Sequence, residues 1–383
     1  MSSFATPTSP QRHAPRLTPT DSFSVYNSLH DEITRIQHSL TDLHTLVATA
    51  AHLIDDVFAP SPRSTYTYAR GIGEGTRRRS VSLAAVLSAI LAHAGECGGE
   101  GGTRYVAAAI GACSGGEHRQ DAVPAVDALA ALGETWLVHL LFVFKAGGRY
   151  ACHLDSDDEC TTPGHSHLSR TEGKGTPNTS FKKDVMIRDG YACVLTGQAD
   201  ISHPAPRSKR PLLELEAARV RNLTRLSEAA LANLRDGVDS ASNGMLLEYN
   251  AQRAFDAFAW CLHKTETPNV YAVKVYDEGR IEDTFSGKLV AFRDNSGDPD
   301  SSDASPRILH RPIALPNPSY IAVHAAIAGI LHQSAAGTFF DALLDTCGGR
   351  AVRTWDELEA LMLHDAVRDS VSDMMDVTGV GLE

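Results

Sequence analysis

Between Leu213 and Asp256 the chain brings together residue types that can handle a phosphate and a hard cation. Leu213, Leu215 and Ala217 alternate with Glu214, Glu216 and Ala218, the period-two pattern of a strand with one buried face. That strand delivers Arg219, whose guanidinium stays protonated at physiological pH and can grip a phosphate with two parallel hydrogen bonds. Farther on, Asn243-Gly244 precedes an apolar stripe of Leu247, Ala251, Ala254, Phe255, Phe258 and Leu262, which predicts a helix. Glu248, Gln252 and Asp256 fall four apart and share its other face. Their oxygens suit Mg2+ or Ca2+, whereas the neutral amide of Gln252 is a poor ligand for a transition metal. The plainer role for Asp256 is to pair with Arg253 or a neighbouring loop.

The surroundings of this stretch are basic. From Lys182 to Arg225 nine cations face five acids, inside a chain whose net charge is −12. The overall acidity argues against non-specific nucleic-acid binding by the whole chain. The local excess, which includes Lys209, Arg210, Arg219 and Arg221, fits phosphate contact and equally fits a solvated loop face. Cys152, His153, Cys160, His165 and His167 form a second group of candidate ligands. Zinc takes four such ligands at short, regular spacings, and these lie in a polar segment without apolar positions to pack around a metal, so they read as a linker.

In order, Arg188-Asp189-Gly190-Tyr191-Ala192-Cys193-Val194-Leu195-Thr196-Gly197, then Leu213 to Val220, then Asn243 to Asp256 resemble the HNH endonuclease-like proteins abundant in fungi. That family's pattern runs RDGxxCxxTG, LEAAHI, NGxxLxxxxHxxFD. The apolar run Trp136–Phe144 and the LPxPxxxxxHAA segment from Leu315 extend the resemblance over roughly residues 130–335. It implies a ββα-metal centre, a divalent metal (Mg or Zn), DNA as partner and hydrolysis of phosphodiesters. Arg219 stands where the pattern has its catalytic histidine, and Gln252 where it has a metal-ligand histidine. Of the three residues that name the motif, Asn243 remains. The resemblance therefore implies a degenerate, weak or inactive member. The alternatives are an active enzyme with substituted ligands, Asp256 or Glu248 serving the metal and His203 or His263 serving as a displaced base, and a helical interaction scaffold without nucleic-acid contact. Cys193, without a CxxC partner, reads as a packed thiol under the hairpin.

The elements that must position these residues make an α+β chain. Residues 1–20 read as a disordered tail and 21–145 as a helical region. Within it Val25, Leu29, Ile33, Ile36, Leu40, Leu43 and Val47 form one stripe running to near Phe58, which packs on its own domain or seams a homodimer. Gly71-Ile72-Gly73-Glu74-Gly75 reads as a connector, because no strand is expected before it and no Lys-Ser/Thr follows. Helices are expected over 82–94, 105–112 and 123–144, broken by glycines at 95–102, with His139 a satisfied core histidine. Residues 146–180 form the linker, 181–335 the HNH-like domain and 336–383 a helical C-terminal segment. Strands are expected at Tyr271–Tyr276 and Leu289–Phe292 around the turn Asp277-Glu278-Gly279, then an acidic loop from Asp294 to Ser305. A helix follows at Tyr320–Gln333, in which His324 reads as core, and another at Trp355–Met375 with Leu358, Leu361, Leu363 and Val367 inward. Seven scattered cysteines without a CxxC, no signal peptide and no membrane-length apolar run suit an intracellular chain.

Overall fold

The computed structural model describes residues 19–70, 77–115, 123–150, 178–203, 212–219, 240–296, 312–347, 350 and 352–364. The N-terminal apolar stripe does not make one rod. It folds as α1 (Pro19–Ser28), α2 (His30–Gln37) and α3 (Leu43–His52), the last running on as a π turn through Phe58. Asp42 starts α3 by accepting the Thr45 N–H at 3.0 Å, a cap that forces the break. Ile33 is buried, and Leu29, Ile36, Leu46 and Val47 pack against the helical core, whereas Leu40 in the break is fully exposed. The stripe is thus used within the chain, α2 and α3 lying on α4 (Leu83–Ala112) and α1 on α5 (Ala125–Trp136).

A strand does precede the glycine run. β1 (Thr65–Arg70) and β2 (Arg77–Ser82) pair antiparallel from Thr65↔Ser82 to Arg70↔Arg77, so the chain between them joins two strands of a hairpin. A phosphate-cradling loop leads from a strand into a helix, and this one does not. Gly71–Gly75 themselves lie outside the described residues. Ser82 then caps α4, and the expected glycine break narrows to a kink at Gly99 (φ 56°, ψ −151°). After α5 a π turn at Leu137–Leu141 leads into α6 (Phe142–Tyr150). The helical run Ala125–Gly147 is long and apolar enough to cross a membrane, and most of its apolar window is buried against the protein's own core. His139 corrects the expectation: it is exposed, because the π turn rotates it outward between buried Val138 and Leu141.

The second half begins with α7 (Asn178–Arg188), then β3 (Leu215–Arg219), β4 (Gly244–Glu248), α8 (Tyr249–Asp256), β5 (Trp260–Lys264), β6 (Val270–Val275) and β7 (Leu289–Ala291). Three small antiparallel sheets result, β1-β2, β3-β4 and β5-β6-β7, which with the helices make the fold α+β. The helix expected to continue to Leu262 stops at Asp256. Phe258 takes φ 63°, the chain turns, and Trp260 and Leu262 enter β5 instead. The second core holds Phe181, Val185, Leu215, Met245–Leu247, Phe255, Trp260, Leu262, Tyr271 and Val273.

The chain then returns to the helical core through α9 (Pro318–Gln333), α10 (Ala336–Leu344) and α11 over 355–364. α9 touches both cores, Ile321 in the second and Ile327, Ile330 and Leu331 in the first. Trp355 packs edge-on against Tyr66, Tyr68 and Phe142, so the C-terminal segment completes the core that the N-terminal helices begin. Its inward face is Trp355, Leu358 and Met362; Leu363, expected inward, is 68 % exposed. The expected tail up to residue 18, the linker between 151 and 177, the acidic loop between 297 and 311, and everything after 364 lie outside the described residues.

Candidate functional site

The two strands and the helix marked out by alternation and four-residue spacing meet as one unit. β3 and β4 pair antiparallel from Leu215↔Glu248 to Arg219↔Gly244, and α8 follows β4 without a linker. Arg219 therefore ends β3 opposite Gly244, beside Asn243. Asn243 is fully buried and closes a 3-10 turn, Ala241–Asn243, that Ser240 caps.

That turn is pinned from behind by a residue that charge counting assigns to the surface. Arg188 is 0 % exposed and ion-paired in bidentate fashion with Asp189, at 2.7 and 2.9 Å. Its guanidinium also donates to the carbonyls of Ala241, Gly244 and Ala314, and Asp189 accepts the Leu246 N–H at 2.8 Å. Its planar donor fork is thus turned inward, two bonds on the Asp189 carboxylate and three on backbone carbonyls, two of which flank Asn243. Gly190 follows at φ +66°, where only glycine is unstrained. Gly244 is needed for a different reason: a Cβ there would lie 2.6 Å from Phe181 and 2.8 Å from Val185 of α7. Asp200 sets the other end of β3, accepting the Leu215 N–H at 2.7 Å and the Ser202 N–H at 2.8 Å. Cys193 is a packed thiol as expected, its sulfur accepting the Thr196 N–H, while Val194 donates to Leu246 O of β4.

Of the expected ligand face, two members remain together. Gln252 and Asp256 stand one turn apart on α8, 4 % and 6 % exposed. Gln252 Oε1 has no hydrogen-bond partner among the described residues. Glu248 does not join them. It is the last residue of β4 and the N-cap of α8, in extended backbone (φ −72°, ψ 156°), so strand geometry rather than helical spacing directs it. Neither displaced base reaches the site. His203 follows Asp200 at the start of β3, the end opposite Arg219, with its ring edge-on to Tyr191. His263 lies on β5 with Nδ1 3.9 Å from Glu96 of α4. Burial, with the charges of Lys274 and His93, holds its imidazole below the usual range despite Glu96. Lys209, Arg210 and Arg221, and the Cys152 to His167 group, lie outside the described residues. Lys182 of the basic stretch is 3.5 Å from Glu216.

A divalent metal at this place would need several convergent donors. The resemblance supplies imidazoles at positions that here hold Arg219 and Gln252. Among the described residues no three His, Cys, Asp or Glu side chains come together as a metal requires. The donor set present on α8, one amide oxygen and one carboxylate, does not fit the metal that the resemblance implies.

Comparison with known proteins agrees with the geometry. No curated protein and no solved structure matches the chain. A family model described as HNH endonuclease matches residues 193–263, from the Cys193 turn through the hairpin and α8 to His263 on β5, and the chain therefore carries an HNH endonuclease-like domain.

Proposed function

We propose that this domain keeps the ββα scaffold of an HNH nuclease as a DNA-binding surface and has lost the power to cleave. The observation that carries the reading is the pairing of Arg219 with Gly244, which sets an arginine beside the buried Asn243 where the family places its proton acceptor. General base catalysis needs a group that can take a proton from water, and a guanidinium cannot. Gln252 removes a ligand from the same centre. What remains is suited to gripping a phosphate rather than attacking one. An intracellular setting belongs to the proposal, in keeping with five free cysteines among the described residues.

DNA affinity tests this reading. Binding should weaken as salt rises from roughly 50 to 200 mM, and Arg219→Ala should reduce the salt slope by about one unit. Affinity indifferent to both changes removes DNA as the ligand.

A further inference from the structure

α8 is only eight residues long, too short to be stable by itself, and its last carbonyls need donors from outside. Within the turn, Ala257 N–H donates to Arg253 O, Ala259 N–H to Ala254 O and Phe258 N–H to Phe255 O, and Trp260 Nε1 reaches back to Ala251 O at 2.9 Å. The remaining acceptor capacity is met from a distance. Lys145 of α6 donates to Ala257 O at 3.1 Å. His324 of α9 is 3.0 Å from Phe255 O, and His332, eight residues farther along α9, is 2.9 Å from Phe258 O. Three side chains from two helices, each between 69 and 112 residues in sequence from its acceptor, thus converge on the last turn of α8 and the two residues that follow it.

Each is held for the task. Lys145 is 7 % exposed and paired with Asp341 of α10 at 3.1 Å, so its charge sits at the negative end of the α8 dipole. The His324 ring stacks on Phe255 at 3.6 Å and on Phe258 at 4.7 Å, nearly parallel to both. Its Nδ1 has no partner among the described residues, which leaves Nε2 as the N–H that reaches Phe255 O. Burial pushes the imidazole down to about 3, so this neutral donor persists over the whole physiological range. His332 stacks on Tyr276 at 4.7 Å, which fixes its ring.

We infer that Lys145, His324 and His332 are positioning residues of the candidate site: they fix the C-terminal end of α8, and with it Gln252 and Asp256, against the β3-β4 hairpin. The functional unit is then larger than residues 193–263 and includes α6 and α9. The inference rests on α8 carrying the candidate site, but its test reads α8 itself and not DNA, so its failure is separable from failure of the proposed function.

The test is hydrogen exchange on the full-length protein carrying His324→Phe, which keeps a stacking ring without the donor, His324→Gln, which restores an N–H, and Lys145→Met. Exchange of the amides at 249–258 should rise about tenfold in His324→Phe and in Lys145→Met, with α4 and β5-β6 unchanged. His324→Gln should recover much of the protection. Unchanged exchange at 249–258 in both donor-less variants overturns the inference. So does an equal rise in every element, since that marks general packing and not positioning. If His324→Phe fails to fold, Lys145→Met, which approaches α8 from another helix, decides alone.

Discussion

The guanidinium of Arg188 donates to the carbonyl of Gly244 at 2.7 Å, and so ties the end of α7 to the strand residue that faces Arg219. The arginine of the RDG element is therefore a structural pin of the Asn243 turn. Removing Arg188 strands the buried carboxylate of Asp189 and three carbonyls. Arg188→Met should cost about 3–5 kcal/mol in denaturant unfolding. The pair with Asp189→Asn should cost less than the sum of the single changes. A loss below about 1 kcal/mol would show that the pin is dispensable.

Gly244 is held to glycine by the close approach of α7. Gly244→Ala should destabilise by about 1–3 kcal/mol, because the Phe181 ring and Val185 must move. Phe181→Leu in the same chain should return part of that loss. Equal stability of Gly244→Ala and the parent chain would contradict a requirement for glycine against α7.

How much of this was legible follows from where the physics is local. The β3 strand and β6 announce themselves through period two and form within a residue or two of expectation, and α8 shows through spacing of three and four but ends six residues before its apolar stripe does. The RDG element shows a turn through Gly190. Whether Arg188 faces water or backbone depends on α7 meeting carbonyls more than fifty residues away, which no local pattern carries. Likewise Phe258 and Leu262 continue a helical stripe, and only the grip of Trp260 on Ala251 O and the pairing of β5 with β6 turn them into a corner and a strand. Glu248 shares helical spacing with Gln252 but belongs to the strand, because Leu215 pairs with it. The β1-β2 hairpin is hidden by the glycines between its strands.

The contact between the two halves should depend on pH. His93 of α4 packs against Gly329 of α9, donates to Glu96 at 2.8 Å and lies 2.9 Å from Gln333, while Lys274 and His263 approach from the sheet. The bond to Glu96 raises the His93 imidazole above its ordinary 6.5. Burial works against the Glu96 carboxylate, but His93, His263 and Lys274 outweigh it and leave it below 4.5. The imidazole contribution is full below 6.5 and fades as pH rises through the raised value. The carboxylate contribution is full above 4.5 and fades as pH falls through the lowered value. Stability should peak between them, and His93→Gln should flatten the alkaline side of the curve. Urea midpoints measured from about pH 4 to about pH 9 check this, and parallel curves for the two proteins would contradict it.

Restoring the chemistry should be possible if the scaffold is intact. Arg219→His together with Gln252→His puts imidazoles at the end of β3 and on the buried face of α8. The double variant should nick plasmid DNA with a divalent metal, the base alone contributing about 10²- to 10⁴-fold. A folded but silent double variant would show that further groups of the centre have been lost.

Persistence of the fold without the hydrolysis is the heart of the proposed function. It is tested most directly by incubating the purified full-length protein with supercoiled and single-stranded DNA in Mg2+, Mn2+, Ni2+ or Zn2+. No cleavage is expected in any of them. Metal-dependent nicking that disappears in Asn243→Ala would contradict the account.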